Sequence, residues 1–352
     1  MNGVLKRFQF AGGRVLKTGV AVFVTAWICE LLNWPPVFAV ITAIVTIEPT
    51  VSDSIRKGVI RFPASAIGSA YAVFFISIFG NSPITYTLAA VFTIATCFRL
   101  KLHAGLLVAT LTAVAMVEVI HSNYLISFFI RLGTTTTGLL VSTVVNMFIL
   151  PPDYTKDIVK NVQSIGKKTG IVVMKVFQDI IKNKHEVDIA DRKMIAELDK
   201  KIQQTETLIR FQKDEAQYHP LIGNEKYLFH TAQNQLVTLR LINYHLDNLI
   251  NTPLTSISWL EEDKRIILEA VHELSNSMKN ASNYDARKHQ KQFKQLTELF
   301  WEDNEEITKN NEQHPTHFPP ELIIMYELLS IYNLVTKFYQ HHEGKKQKKK
   351  RN

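Results

Sequence analysis

Asn146-Met147-Phe148-Ile149-Leu150-Pro151-Pro152-Asp153-Tyr154-Thr155-Lys156 is the stretch in which the chain changes solvent. Residues 1–150 hold ten Lys/Arg and four Asp/Glu, in long apolar runs. Residues 151–352 hold 40 − 10 = 30 Lys/Arg and 32 − 4 = 28 Asp/Glu. A mean hydropathy of +0.01 therefore averages a lipid-compatible half with a water-compatible one. The net charge of +8 divides the same way: 10 − 4 = +6 before the double proline and 30 − 28 = +2 after it. Six of the later cations, Lys345, Lys346, Lys348, Lys349, Lys350 and Arg351, form a terminal run.

Working back from Pro151, a spanning helix needs about 20 mostly apolar residues. The pattern predicts six spans at 15–32, 37–51, 59–79, 84–98, 102–120 and 124–150, with the second and fourth short. Asn33-Trp34-Pro35-Pro36, Gly80-Asn81-Ser82-Pro83 and His121-Ser122-Asn123 supply the turns. Basic residues occupy alternate connections: Lys6, Arg7, Arg14 and Lys17; Arg56, Lys57 and Arg61; Arg99 and Lys101; Lys156, Lys160, Lys167 and Lys168. That alternation places both termini in the cytoplasm of a plasma membrane. The first apolar run is followed by further runs, as in a retained anchor rather than a cleaved leader.

The apolar half repeats itself. Glu48 and Glu118, Arg61 and Arg131, and Gly68 and Gly138 each stand 70 residues apart, and Thr42-Ala43 matches Thr112-Ala113. Three spans per unit would make the second unit insert inverted relative to the first, an arrangement of secondary transporters whose sites lie between the repeats. The expected fold is all-α: a six-helix transmembrane domain over residues 1–151 with an inverted three-plus-three repeat, then a cytoplasmic antiparallel helical bundle over 152–342, then a basic, unstructured tail over 343–352. Within the bundle, Asp153 is expected to cap the first helix. Ser258 and Glu261 are expected to form a capping box.

Ionisable residues inside spans are functional candidates by default. Arg131, followed by Thr134, Thr135, Thr136 and Thr137, is suited to an anionic ligand, because a guanidinium offers a carboxylate two parallel hydrogen bonds. Glu118 or Glu48 would then exchange a proton, with Arg61 beside Glu48. The structural alternatives are that Arg131 pairs with Glu118, that Glu48 pairs with Arg56, Lys57 or Arg61, and that the threonines bond carbonyls one turn back. Cys29 and Cys97 lack metal or redox spacing, and no phosphate loop, GxSxG, HExxH or dinucleotide fingerprint is present. No enzyme activity, cofactor, metal or nucleic-acid partner is expected.

Two segments carry a resemblance. Glu48-Pro49-Thr50-Val51-Ser52-Asp53-Ser54-Ile55-Arg56-Lys57-Gly58-Val59-Ile60-Arg61 resembles a loop of the aromatic acid exporter family, within the fusaric-acid-resistance group. Arg131-Leu132-Gly133-Thr134-Thr135-Thr136-Thr137-Gly138, running on to Pro151-Pro152, resembles it too. The layout is similar to a compact form in Gram-positive bacteria. The resemblance implies export of small aromatic carboxylates driven by the proton gradient. Here a single six-span unit stands where larger members have two, so the resemblance implies a homodimer or higher homo-oligomer. The alternative is a membrane-anchored interaction or sensor protein whose helical half binds partners.

Overall fold

The computed structural model describes residues 2–119, 123–182, 189–252, 257–310 and 319–348, and every long element among them is an α-helix. In chain order these are α1 (Asn2–Leu31), α2 (Val37–Thr46), α3 (Val51–Phe79), α4 (Pro83–Arg99), α5 (Leu106–Val119) and α6 (Tyr124–Phe148). Then come α7 (Thr155–Ile181), α8 (Ile189–Glu215), α9 (Gly223–Asn251), α10 (Glu261–Lys279), α11 (Ala286–Asn310) and α12 (Pro320–Lys348). The chain forms two compact units. The first comprises Met1–Asp153 and Phe211–Pro220, the second Tyr154–Arg210 and Leu221–Asn352. The end of α8 thus groups with the first unit.

The first unit distributes its residues in the reverse of a water-soluble core. Phe23, Val59, Phe98, Leu125, Phe129 and Phe148 are each at least 65% exposed. Buried among its helices are small and polar residues instead: Thr42, Ser54, Ser65, Ser69, Thr112, Thr134, Thr135, Ser142 and Asn146. Water would penalise such an apolar surface. Lipid tails accept it, and small residues then allow backbones to meet. The first unit is a helical membrane domain.

Two helices, α3 and α6, are long and apolar enough to cross a bilayer, while α2 and the stretch His103–Val119 are apolar but shorter. The predicted second span, 37–51, is helical only from Val37 to Thr46, about 15 Å of rise. Ile47 and Thr50 are extended, with ψ of 99° and 156°, so the chain turns a corner there. Thr50 ends that corner by accepting a hydrogen bond from the Asp53 amide, which starts α3 at Val51 rather than at the predicted Val59.

The repeat is physical as well as sequential. α1, α2 and α3 correspond to α4, α5 and α6, and each repeat packs mainly on the other: α3 lies along α5, α6 along α2, and α3 crosses α6. A Cβ on Gly68 would strike the Ala109 carbonyl, and one on Gly138 would strike the Ala39 carbonyl, so both contacts recur at the offset of 70. Apolar clusters correspond likewise: Ala21, Ala43 and Val145 in one match Ala89, Ala113 and Phe75 in the other. Along α1 and α4 the offset is 68. Asn33 (φ 53°) and Lys101 (φ 58°) end these helices in the left-handed region, and the Trp34 and Leu102 amides reach back to the Cys29 and Cys97 carbonyls. Beyond α4, the 3₁₀ turn His103–Gly105 leads into α5, and the offset is again 70 there. The Ser65 and Thr135 hydroxyls, themselves 70 apart, meet at 3.3 Å on the pseudo-two-fold axis.

The second unit has an ordinary core. α7 packs on α9 and α10, α9 on α12, and α12 on α11, around Phe177, Leu236, Leu239, Leu246, Ile267 and Tyr332. The expected residues do not occupy the cap positions. α7 is flanked by Tyr154 and starts at Thr155, and α10 is flanked by Leu260, neither with a side-chain cap. Ser258 instead gives its amide and hydroxyl to Glu321, at 2.5 and 2.8 Å. A carboxylate on another helix outcompetes the local box. α12 stays helical to Lys348, into the basic tail; residues 349–352 lie outside the described residues. Tyr332, fully buried, donates to the Ala270 carbonyl at 2.7 Å and stacks on His289, whose Nε2 donates to the Tyr332 carbonyl at 3.0 Å. Burial raises the Tyr332 phenol and lifts Tyr339 to about 12. It lowers His289 below its ordinary 6.5, partly opposed by that hydrogen bond.

Gly68→Ala and Gly138→Ala should each destabilise the protein by about 1–3 kcal/mol through overpacking against backbone. Gly19→Ala, with nothing near its Cβ, should be neutral or stabilising in detergent thermal unfolding. His289 is neutral when folded, so its contribution is complete above its unfolded value of 6.5. That contribution is lost as pH falls below 6.5 towards the lowered folded value. His289→Phe should flatten the decline of melting temperature over this window.

Candidate functional site

Two buried arginines occupy equivalent positions in the repeats, and their surroundings differ. Arg61, on α3, is saturated. Its Nη2 bonds the Glu48 carboxylate at 2.7 Å, its Nη1 the Val45 carbonyl at 3.1 Å, and its Nε the Ala104 carbonyl at 3.3 Å. Glu48 also takes Lys57 at 2.8 Å, whereas Arg56 binds Asp53 at 2.6 Å. Of the expected partners for Glu48, Lys57 and Arg61 are therefore the ones used. This corner is an ion-pair cluster bracing α3 against the α2 corner.

Arg131, on α6, is 4% exposed and has none of the equivalent partners. Its Nη2 donates to the Thr112 hydroxyl, and its Nε and Nη1 are buried without a partner. Among the described residues no carboxylate pairs with it; the structural alternative of an Arg131–Glu118 pair is not formed. Glu118 is exposed and accepts from the Tyr86 hydroxyl at 2.5 Å. The guanidinium lies 4.3 Å from the centroid of the Phe38 ring, which fixes its plane without neutralising it.

The threonines hold this arginine in place. Thr134 and Thr135 both donate to the Arg131 carbonyl at 2.9 Å, the one-turn-back bond. Thr135 also meets Ser65, and Ser65 meets Thr112 at 3.4 Å. A polar circuit thus runs from the Arg131 guanidinium through Thr112, Ser65 and Thr135 back to the Arg131 carbonyl. It joins α3, α5 and α6 where the repeats cross. Beside it lies a pocket of about 80 Å³ lined by Pro35, Phe38, Met116, Ile130, Arg131 and Thr134. Its wall is apolar except for the arginine and a few hydroxyls. Such a wall offers a cation for an anionic group and apolar surface beside it.

Of the candidate site residues singled out in the sequence, the structure brings Arg131, Thr134 and Thr135 together, and it adds Phe38, Thr112 and Ser65, which were not among them. Thr112 had a signal in the Thr-Ala pair shared by the repeats. Phe38 had none, because its role depends on a crossing between repeats. Glu48 and Arg61 belong to the other corner and do not join this pocket. Among the described residues no three His, Cys, Asp or Glu side chains converge as metal ligands.

The profile of aromatic acid exporter family member 1 matches residues 9–149, the membrane unit. A UPF0421 protein of Oceanobacillus iheyensis is 49% identical over 338 residues, covering 95% of this chain and 97% of that protein. A UPF0421 protein of Bacillus cereus is 41% identical across 97% of this chain. One from Staphylococcus saprophyticus is 35% identical across 91%. The chain belongs to the UPF0421 protein family, and its membrane unit matches the aromatic acid exporter family. The aligned length shows that these relatives share the whole two-unit layout, not the membrane unit alone. The family profile ends at residue 149, just before the double proline.

The two arginines should respond oppositely to the same change. Arg61→Met strands Glu48 with Lys57 alone and should cost about 3–5 kcal/mol. Arg131→Met removes a buried, unpaired cation and should leave the melting temperature unchanged or raised. Thermal unfolding of the two variants in detergent checks this.

Proposed function

We propose that this protein exports small aromatic carboxylates across the bacterial plasma membrane, and that Arg131 binds their carboxylate. The observation carrying this reading is a buried guanidinium with two uncommitted nitrogens and no counter-ion among the described residues, beside an aromatic ring and an apolar pocket. Burying a charge without a partner is costly unless a ligand completes it. Strain kept at one site and relieved at its pseudo-symmetric counterpart suits a binding position. At about 80 Å³ the pocket is smaller than the roughly 150 Å³ that accepts benzene. It would take the carboxylate and one edge of the ring, with the rest extending into the mouth.

The alternating basic connections and the three helices per repeat support six spans with cytoplasmic termini. On that reading, the Pro35–Phe38 side of the pocket faces outward and the Glu48–Arg61 corner faces the cytoplasm. Glu118 suits proton coupling better than Glu48, since Glu118 is bound by a neutral hydroxyl and Glu48 by two cations. α2 and α5 are the shortened, apolar elements at equivalent positions, the arrangement that frames sites in inverted-repeat transporters. A homodimer would supply the second six-span unit that larger members carry in one chain.

Efflux of radiolabelled 4-hydroxybenzoate from proteoliposomes, with and without a pH gradient, tests the reading. Loss of a charge-assisted pair costs about 1.5–3 kcal/mol. Arg131→Met should therefore weaken apparent affinity by roughly 10- to 100-fold while the protein still inserts. Glu118→Gln should abolish the dependence on the gradient. Absence of transport of any aromatic acid by the wild type would favour the sensor alternative.

A further inference from the structure

The last turn of α8 closes one end of the membrane unit. That end is a polar knot centred on Asn146 of α6, which is 1% exposed. Its Nδ2 reaches the Glu48 carbonyl at 3.1 Å, the Thr50 carbonyl at 3.3 Å and the Ser54 hydroxyl at 2.9 Å. Its Oδ1 accepts from Lys17 of α1 at 2.9 Å. Arg14 adds a bond from α1 to the Ile47 carbonyl at 3.1 Å, and Ser54 reaches back to the Thr46 carbonyl at 2.9 Å. Four helices, α1, α2, α3 and α6, are thereby tied across the boundary between the two repeats.

Glu215, at the C-terminal end of α8, completes the knot. It is wholly buried although it is a carboxylate on a helix that begins in the other unit. Its Oε2 accepts from the Val51 amide at 3.0 Å, the first residue of α3. Its Oε1 meets His219 Nδ1 at 2.7 Å, and Lys17 lies within electrostatic reach. Among the described residues the opposite end of the unit has no counterpart: there Ala72, Ile76, Met116 and Val117 form an apolar seal, with Ile76 at the position equivalent to Asn146. Among the described residues one end is shut by side chains of α3 and α5, the other by a segment contributed from far along the chain.

We propose that the end of α8 is a latch, in which the Glu215 carboxylate seated on the Val51 amide holds the α2–α3 corner closed and must leave before this end of the unit opens. The proposal rests on reading the unit as a transport domain, and it regulates access to the Arg131 site. An exporter takes its cargo from inside, so this end must open in every cycle. A hydrogen-bonded carboxylate on the α3 N-terminal amide is a contact that can be exchanged without unfolding α3. Because α8 continues into the second unit, that unit gains a means of controlling transport.

The test uses the full-length chain in detergent, where neither cargo nor orientation is needed. Cys29 and Cys97, both buried, are first replaced by serine. Ser142→Cys then places one thiol on α6, a turn above Asn146, at a fully buried position. Its labelling rate by a water-soluble maleimide reports opening of the knot. Glu215→Ala should raise the rate about tenfold. Val51→Pro should do the same, since proline at the first helical position removes the donating N–H and leaves the helix intact. Thr50, already extended, is the conformation that a following proline favours. The double variant should label no faster than either single one. A thiol at the opposite end, Ala72→Cys, should label at the wild-type rate throughout. Unchanged labelling in both variants, additive acceleration in the double, or equal acceleration at Ala72→Cys would overturn the latch.

Discussion

Close backbone approach at Gly68 and Gly138 is the constraint on which the membrane unit depends. Each glycine lets a long helix of one repeat lie against a shorter helix of the other, α3 on α5 and α6 on α2. Lipid provides no hydrophobic force to drive such pairs together, so contact area at short range must do it. The buried hydroxyls of Ser65, Thr112 and Thr135 are arranged around those crossings. Ser65 and Thr135 meet on the axis itself, and the two arginines stand one on each side of it. With a side chain at either glycine, the helices would separate and the buried hydroxyls would lose their partners.

Pseudo-symmetry makes the functional argument possible, because each half serves as a control for the other. The same Glu-x12-Arg-x6-Gly spacing produces a closed ion-pair cluster at Arg61 and an unneutralised cation at Arg131. The difference lies in the neighbours. Glu48 sits in an extended corner that turns it back over α3, whereas Glu118 is carried at the end of α5 and turns out to Tyr86. The first repeat is braced and the second is poised. The same division appears at the two ends of the unit, one sealed by apolar side chains and the other by Asn146, Lys17 and Glu215.

Much of this was legible in the sequence. The change of solvent at Pro151, the helical class and the spacing of Glu, Arg and Gly all follow from residue type and period. Three features were not. The corner at Ile47–Thr50 ends an apolar run that reads as helix, and it bends because Thr50 caps α3 and Asn146 takes the freed carbonyls. The Ser258 box fails because Glu321, distant in sequence, presents a stronger acceptor. Glu215 reads as an ordinary surface carboxylate on a charged helix, and only the tertiary approach of α3 reveals that it is buried. In each case a long-range hydrogen bond overrode a local pattern.

The most direct measurement is a crystal or cryo-microscopy structure of the protein with 4-bromobenzoate, locating the bromine by its anomalous signal or the ring by its density. The account predicts the carboxylate within hydrogen-bonding distance of Arg131 Nε and Nη1, with the ring leading away from Phe38 towards the pocket mouth. A ligand bound at Arg61, or a saturated complex in which Arg131 still has no anionic partner, would contradict it.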